Sequence, residues 1–204
     1  KTDDDTRLAL LRLRGAGVHA HEFRRLDSRA RKRLYEAGLV EAARADSGAL
    51  PAEHVGLLPL AARVVEARRA WTAPKHAAHP AARLPYLACL PFDEAQREGL
   101  AWSGQPDGDL RAIANAAMIG AGRYEPAQLA AVLAFVAAKK NEQDPVRAAM
   151  LNALADLPPT RWRSEHLPAL TTIIDAALAA RDASQQTLSA AARLVMGVAP
   201  QHID

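Results

Sequence analysis

Apolar residues in the second half of the chain recur at helical spacing. Val146, Met150, Leu151 and Leu154 form one stripe, and Leu167, Leu170, Ile173, Ile174 and Leu178 a second. Leu188, Leu194 and Val195 form a third. Start and stop signals frame these stripes. Asp144-Pro145-Val146-Arg147 reads as an Asp N-cap followed by Pro at the first helical position, where a missing N–H costs nothing. Pro158-Pro159 ends that helix, Ser164 and Glu165 precede the next, and Asp182 or Ser184 caps the one after. Upstream, Asp107-Gly108-Asp109 opens a helix through Ile113 and Met118 that ends near Gly120 and Gly122. Pro126 opens another through Leu129, Val132, Leu133 and Val136. Short turns between such helices predict antiparallel neighbours.

The first half is less regular. Thr2-Asp3-Asp4-Asp5 predicts the start of a helix through Leu8, Leu11 and Leu13, stopped by Gly15-Ala16-Gly17. Asp27 or Ser28 caps a basic helix carrying Leu34, Tyr35, Leu39 and Val40. Pro51 to Arg69 reads as one long helix kinked at Pro59. Trp71 to Pro80 reads as a linker, and Pro80 to Leu90 with Phe92 to Trp102 as a short helix pair. The expected division is an irregular helical part over 1–75 and a regular part over 76–204.

Composition strengthens the helical reading. Of 204 residues, 47 are Ala and 26 Leu against 22 β-branched, and only 4% are aromatic. That balance favours helix over sheet, so the fold class is all-α, with about ten to twelve helices expected. The longest apolar run, Leu129 to Ala138, stops at Lys139 and Lys140, short of the roughly 20 residues of a membrane helix. With Cys89 as the single cysteine, an intrachain disulfide or Cys-based zinc site is excluded. The chain opens at Lys1 without a signal peptide, which leads to the expectation of a cytoplasmic piece of a longer protein.

The stripes also repeat. Arg147 follows Arg111 by 36 residues, each a few positions after an aspartate, Asp144 and Asp109, and each heading an alanine-rich stripe. Asp182-Ala183-Ser184-Gln185 is a third copy with Gln185 at the arginine position, and His79 to Arg83 is a weaker match. A helix pair recurring at about 36–38 residues is an α-solenoid unit. The Asp-Pro-Val-Arg motif with its alanine-rich continuation resembles bacterial HEAT repeats over about 79–197. Asp109, Arg111, Asp144, Pro145 and Arg147 carry the resemblance. It implies right-handed stacking of antiparallel helix pairs, with a concave face lined by Gln128 to Lys140 and Glu165 to Ala180. It also implies arginines that pair with an aspartate of the adjacent turn or repeat.

Residues capable of chemistry are few. His19-Ala20-His21 beside Glu22 provides too few donors at ligand spacing for zinc and reads as an exposed loop. His76 and His79 read as solvated. Cys89, in a stripe with Tyr86, Leu87 and Leu90, lacks a basic neighbour and reads as structural. Trp71, Trp102 and Trp162 read as packing residues. No catalytic, cofactor or metal residue is assigned. Arg24, Arg25, Arg29, Arg31, Lys32 and Arg33 place six positive charges in ten residues. Residues 1–75 carry net +5 and residues 76–204 net −2. Such asymmetry suits a nucleic-acid or acidic-protein surface, although Phe23 and Tyr35 are the only aromatics there to stack on bases. The expected function is a non-catalytic protein-interaction scaffold whose partner is another protein. The alternative is a nucleic-acid-binding or DNA alkylation-repair HEAT-like protein; a lyase or ligase of cofactor attachment is a third class.

Overall fold

The computed structural model describes residues 19–38 and 48–201. Among them it is all-helical, with twelve α-helices, short 3-10 turns and no strand. The expected helix through Leu8 to Leu13, and Leu39 and Val40, lie outside the described residues. The chain divides into two compact units, Lys1–Leu90 and Pro91–Asp204.

The first unit contains α1 (Ala20–Arg24), α2 (Ser28–Glu36), α3 (Ala52–Val55), α4 (Leu60–Thr72), α5 (Pro74–Ala77) and α6 (Pro80–Arg83), followed by a 3-10 turn, Leu84–Cys89. Asp27 caps α2, its carboxylate accepting from the Ala30 N–H at 2.6 Å. Phe23, Leu34, Leu50, Leu84 and Leu87 form the fully buried core. Two expectations need correction. The predicted long helix from Pro51 is two helices, because Pro59 disfavours helical backbone at Leu58 and itself becomes the N-cap of α4. The predicted linker is helical and packed. Trp71 is 9% exposed, with the Arg83 guanidinium 3.7 Å from its ring, and His76 is buried. Pro85 lacks the N–H that would continue α6, and the chain tightens into the 3-10 turn there.

The second unit contains α7 (Phe92–Ser103), α8 (Gly108–Ala121), α9 (Leu129–Ala138), α10 (Asp144–Ala155), α11 (Leu167–Leu178) and α12 (Gln185–Val198). Helix α8 packs between α7 and α10, and α10 between α8 and α12; α11 packs on α9 and on α12. Alanines make the close approach of like helices feasible: Ala114, Ala121, Ala148, Ala190 and Ala191 are all buried. Gly122, ending α8, abuts α9 so closely that an added Cβ would lie 2.8 Å from Val132 Cγ2. Arginines tie the far ends together. Arg123 donates to the Asp156 carbonyl at 3.0 Å, and Arg193 donates to Asn152 and pairs with Asp156 at 3.1 Å.

Within the predicted start Asp107-Gly108-Asp109, Asp107 is the cap of α8, accepting from Asp109 and Leu110; of Asp182 and Ser184, it is Ser184 that caps α12, accepting from Thr187. Asp144 does not cap its own helix. Gln143 holds the N-cap position without a side-chain bond, and Asp144 is the first helical residue. Its side chain has instead turned toward the start of α12.

Candidate functional site

Two arginines at matching positions join successive helices. Arg111 donates from Nε to Glu142 Oε2 at 3.2 Å, just ahead of α10, and from Nη1 to the carbonyls of Gln105 and Pro106. Arg147 donates to Asp182 Oδ1 at 2.6 Å, ahead of α12, to Asp144 Oδ1 at 3.2 Å, and to the Glu142 carbonyl. Each arginine thus holds its own preceding turn and a carboxylate 31 or 35 residues onward. Asp144 Oδ1 also accepts from the Ser184 N–H at 3.0 Å and the Thr187 hydroxyl at 2.6 Å. Burial opposes ionisation of Asp144, yet the hydrogen bonds from Ser184, Thr187 and Arg147 outweigh it and lower its pKa from 3.8 to about 2. Asp109 contributes its backbone N–H to the Asp107 cap, and Pro145 lies in the first turn of α10.

An open cleft of about 430 Å³, its mouth included, lies beside α9, α10 and α11. Val136, Met150, Leu151 and Ile173 give it an apolar floor; Lys139, Lys140 and Arg147 are its cations, and no carboxylate lines it. Lys139 is held by the Ser103 carbonyl at 2.9 Å and by Glu142, while Lys140 is exposed. Such a surface suits an apolar side chain accompanied by an acidic one.

The basic segment is divided by the structure. Arg24 ends α1 and Arg25 is its C-cap, whereas Arg29, Arg31, Lys32 and Arg33 lie on α2. Arg31 is drawn inward, donating to the Leu57 carbonyl at 3.0 Å, and Lys32 pairs with Glu36 at 3.6 Å. Arg24, Arg25, Arg29 and Arg33 are exposed. No aromatic platform accompanies them, since Phe23 is fully buried and the Tyr35 hydroxyl donates to Glu66 at 2.8 Å.

A buried polar group in the first unit is absent from the sequence-based expectations. Glu66 is 0% exposed, held by Tyr35 and by Arg69 at 3.5 Å, and Arg63 donates to the Cys89 carbonyl. Tyr86 donates to the Leu50 carbonyl at 2.7 Å; burial, then the proximity of Cys89 and Glu66, raises its pKa to about 12. His76, expected in solvent, is buried with Nδ1 3.0 Å from the Ala70 carbonyl and its ring beside Tyr86. A signal exists in the residue order: Arg63, Glu66, Ala67, Ala70 and Trp71 share one helical face, which places charged residues at core positions. Cys89 is buried, its thiol 3.7 Å from the Ala52 carbonyl. His79 is exposed, His19 and His21 stack at 5.8 Å, and among the described residues no His, Cys, Asp and Glu group could hold a metal.

Comparison with protein-family models, curated proteins and solved structures finds no match for the chain. No helix among the described residues is long and apolar enough to cross a membrane.

Proposed function

We propose that the chain is a HEAT-like α-solenoid serving as a protein-interaction scaffold. The observation that carries this reading is the pair of arginine clasps, Arg111 to Glu142 and Arg147 to Asp182. Repeated at matching positions, they join each like helix to the next, as a nearest-neighbour repeat array requires. The resulting frame leaves the cleft beside α9, α10 and α11 open to a partner segment that pairs an apolar side chain with an acidic one. The nucleic-acid alternative has less support, because the basic run is split between two helices and Arg31 and Lys32 are engaged within the protein.

The test is affinity capture with the parent chain and with a Lys140→Glu, Thr172→Glu variant, both substitutions being at exposed cleft positions. The scaffold reading expects a partner protein held by the parent and lost by the variant, with helicity unchanged in circular dichroism. Binding indifferent to the cleft substitutions overturns the assignment of the site. Duplex DNA bound by the parent at about 10⁻⁸ M or tighter in physiological salt overturns the scaffold reading itself.

A further inference from the structure

The cleft beside α9, α10 and α11 is supplied with donors and short of acceptors. Its floor is apolar and no carboxylate lines it. Two of its cations are answered from outside the lining, Lys139 by Glu142 and Arg147 by Asp144 and Asp182. Lys140 is exposed and has no carboxylate partner among the described residues. Arg147 is 5% exposed, and its Nε–H is buried without an acceptor although both Nη atoms are bonded. A buried donor left unpaired is costly, and an incoming oxygen relieves it. The size of the site narrows what brings that oxygen. About 430 Å³, mouth included, is at the low end of ligand clefts, which run from about 300 to 1,000 Å³. An amphipathic helix docks through several anchors at i, i+3, i+4 and i+7 and needs a longer groove. The patch of Val136, Met150, Leu151 and Ile173 offers room for one apolar side chain.

We propose that the cleft takes the C-terminal residue of a partner chain, its apolar side chain on the floor and its α-carboxylate against Lys140 and the Nε–H of Arg147. The inference rests on the scaffold reading of this cleft and narrows it: the acidic group is a chain end, not a side chain. In an extended segment successive side chains point to opposite faces, so an apolar residue and an acidic one beside it do not both turn inward. A terminal residue carries both groups on one Cα. The backbone of α9 favours a peptide end over a simple acid. Ala137, which also lines the cleft, belongs to the last turn of α9, whose carbonyls lack a following helix N–H. Such carbonyls can accept from the amide of a terminal residue, a donor that a simple acid does not have.

The test is a titration of the whole chain with acetyl-Gly-Gly-Leu, read from the methyl resonances of Met150, Leu151 and Ile173. Binding in the millimolar range is expected of so small a ligand. The C-terminal amide of the same peptide should bind about ten-fold more weakly, as the loss of a charge-assisted hydrogen bond implies. Lys140→Gln should weaken the free acid several-fold and Lys140→Arg should not; Lys140 is exposed, so neither change touches the core. Isocaproate, with the leucine side chain and carboxylate but no amide, should bind less tightly than the peptide. Acid and amide binding equally, or acetyl-Leu-Gly-Asp-amide outcompeting the free acid, overturns the chain-end inference and leaves the scaffold reading standing. No methyl shift at about 10 mM peptide, or isocaproate binding as well as the peptide, overturns it as well. The scaffold reading itself stands or falls by the capture experiment, which does not require the partner to enter by its end.

Discussion

Asp144 is where the clasp between α10 and α12 is most sensitive to a single charge. Asp144→Asn keeps the shape of the side chain and removes the ionised acceptor that serves Arg147, Ser184 and Thr187. Its side chain is 13% exposed, so little water is at hand to replace those donors. The pKa falls from 3.8 to about 2 on folding. At about 1.4 kcal/mol per pH unit, that depression limits the extra stability supplied by the ionised form to about 2.5 kcal/mol. The sign is set by the direction of the change. A carboxylate with a depressed native pKa stabilises the fold fully above its unfolded value, near 3.8, and loses that contribution as pH falls toward about 2. Urea unfolding of parent and Asp144→Asn should therefore differ by about 1–2.5 kcal/mol at pH 7 and pH 5, and the gap should close between about pH 4 and pH 2. Asp182→Ala serves as a control: that carboxylate is 60% exposed, and its loss should cost only about 0–1 kcal/mol. A neutral Asp144→Asn at pH 7, or a gap that persists unchanged to pH 2, would refute the reasoning.

Gly122→Ala should destabilise the second unit by about 1–3 kcal/mol in thermal or chemical melts, because its Cβ would press on Val132 at 2.8 Å and force α8 and α9 apart. Asp107→Ala should cost about 0.5–2 kcal/mol as a lost N-cap, whereas Asp109→Ala should stay within about 0.5 kcal/mol, a contrast that unfolding curves resolve directly. Duplex DNA titrated at about 150 mM salt should bind weakly, if measurably at all, and with a steep salt dependence. Changing Arg24, Arg25, Arg29 and Arg33 to Ala should remove that residual binding without altering helicity, since none of the four belongs to the buried core.

Much of this architecture is local, and local features can be read from residue order. Ala and Leu at 3.6-residue spacing, Asp107 and Ser184 at helix starts, and Pro126 and Pro158-Pro159 at boundaries act on backbone within a turn of themselves. The recurrence of Arg111 and Arg147 is equally visible, as is the idea that each pairs with a carboxylate. What residue order does not contain is the choice among partners. Asp144 has two uses open to it, capping its own helix or accepting from a later segment of the chain. The approach of Ser184 and Thr187, forty or more residues away, decides for the second. Pro59, read as a kink, is a break, and the stretch from Trp71 to Pro80, read as a linker, is packed structure around His76. The burial of Glu66 depends on Tyr35 arriving from 31 residues away. Periodicity and caps are set by energies within one turn of helix, whereas burial and partner choice are set by which distant segments fold against each other.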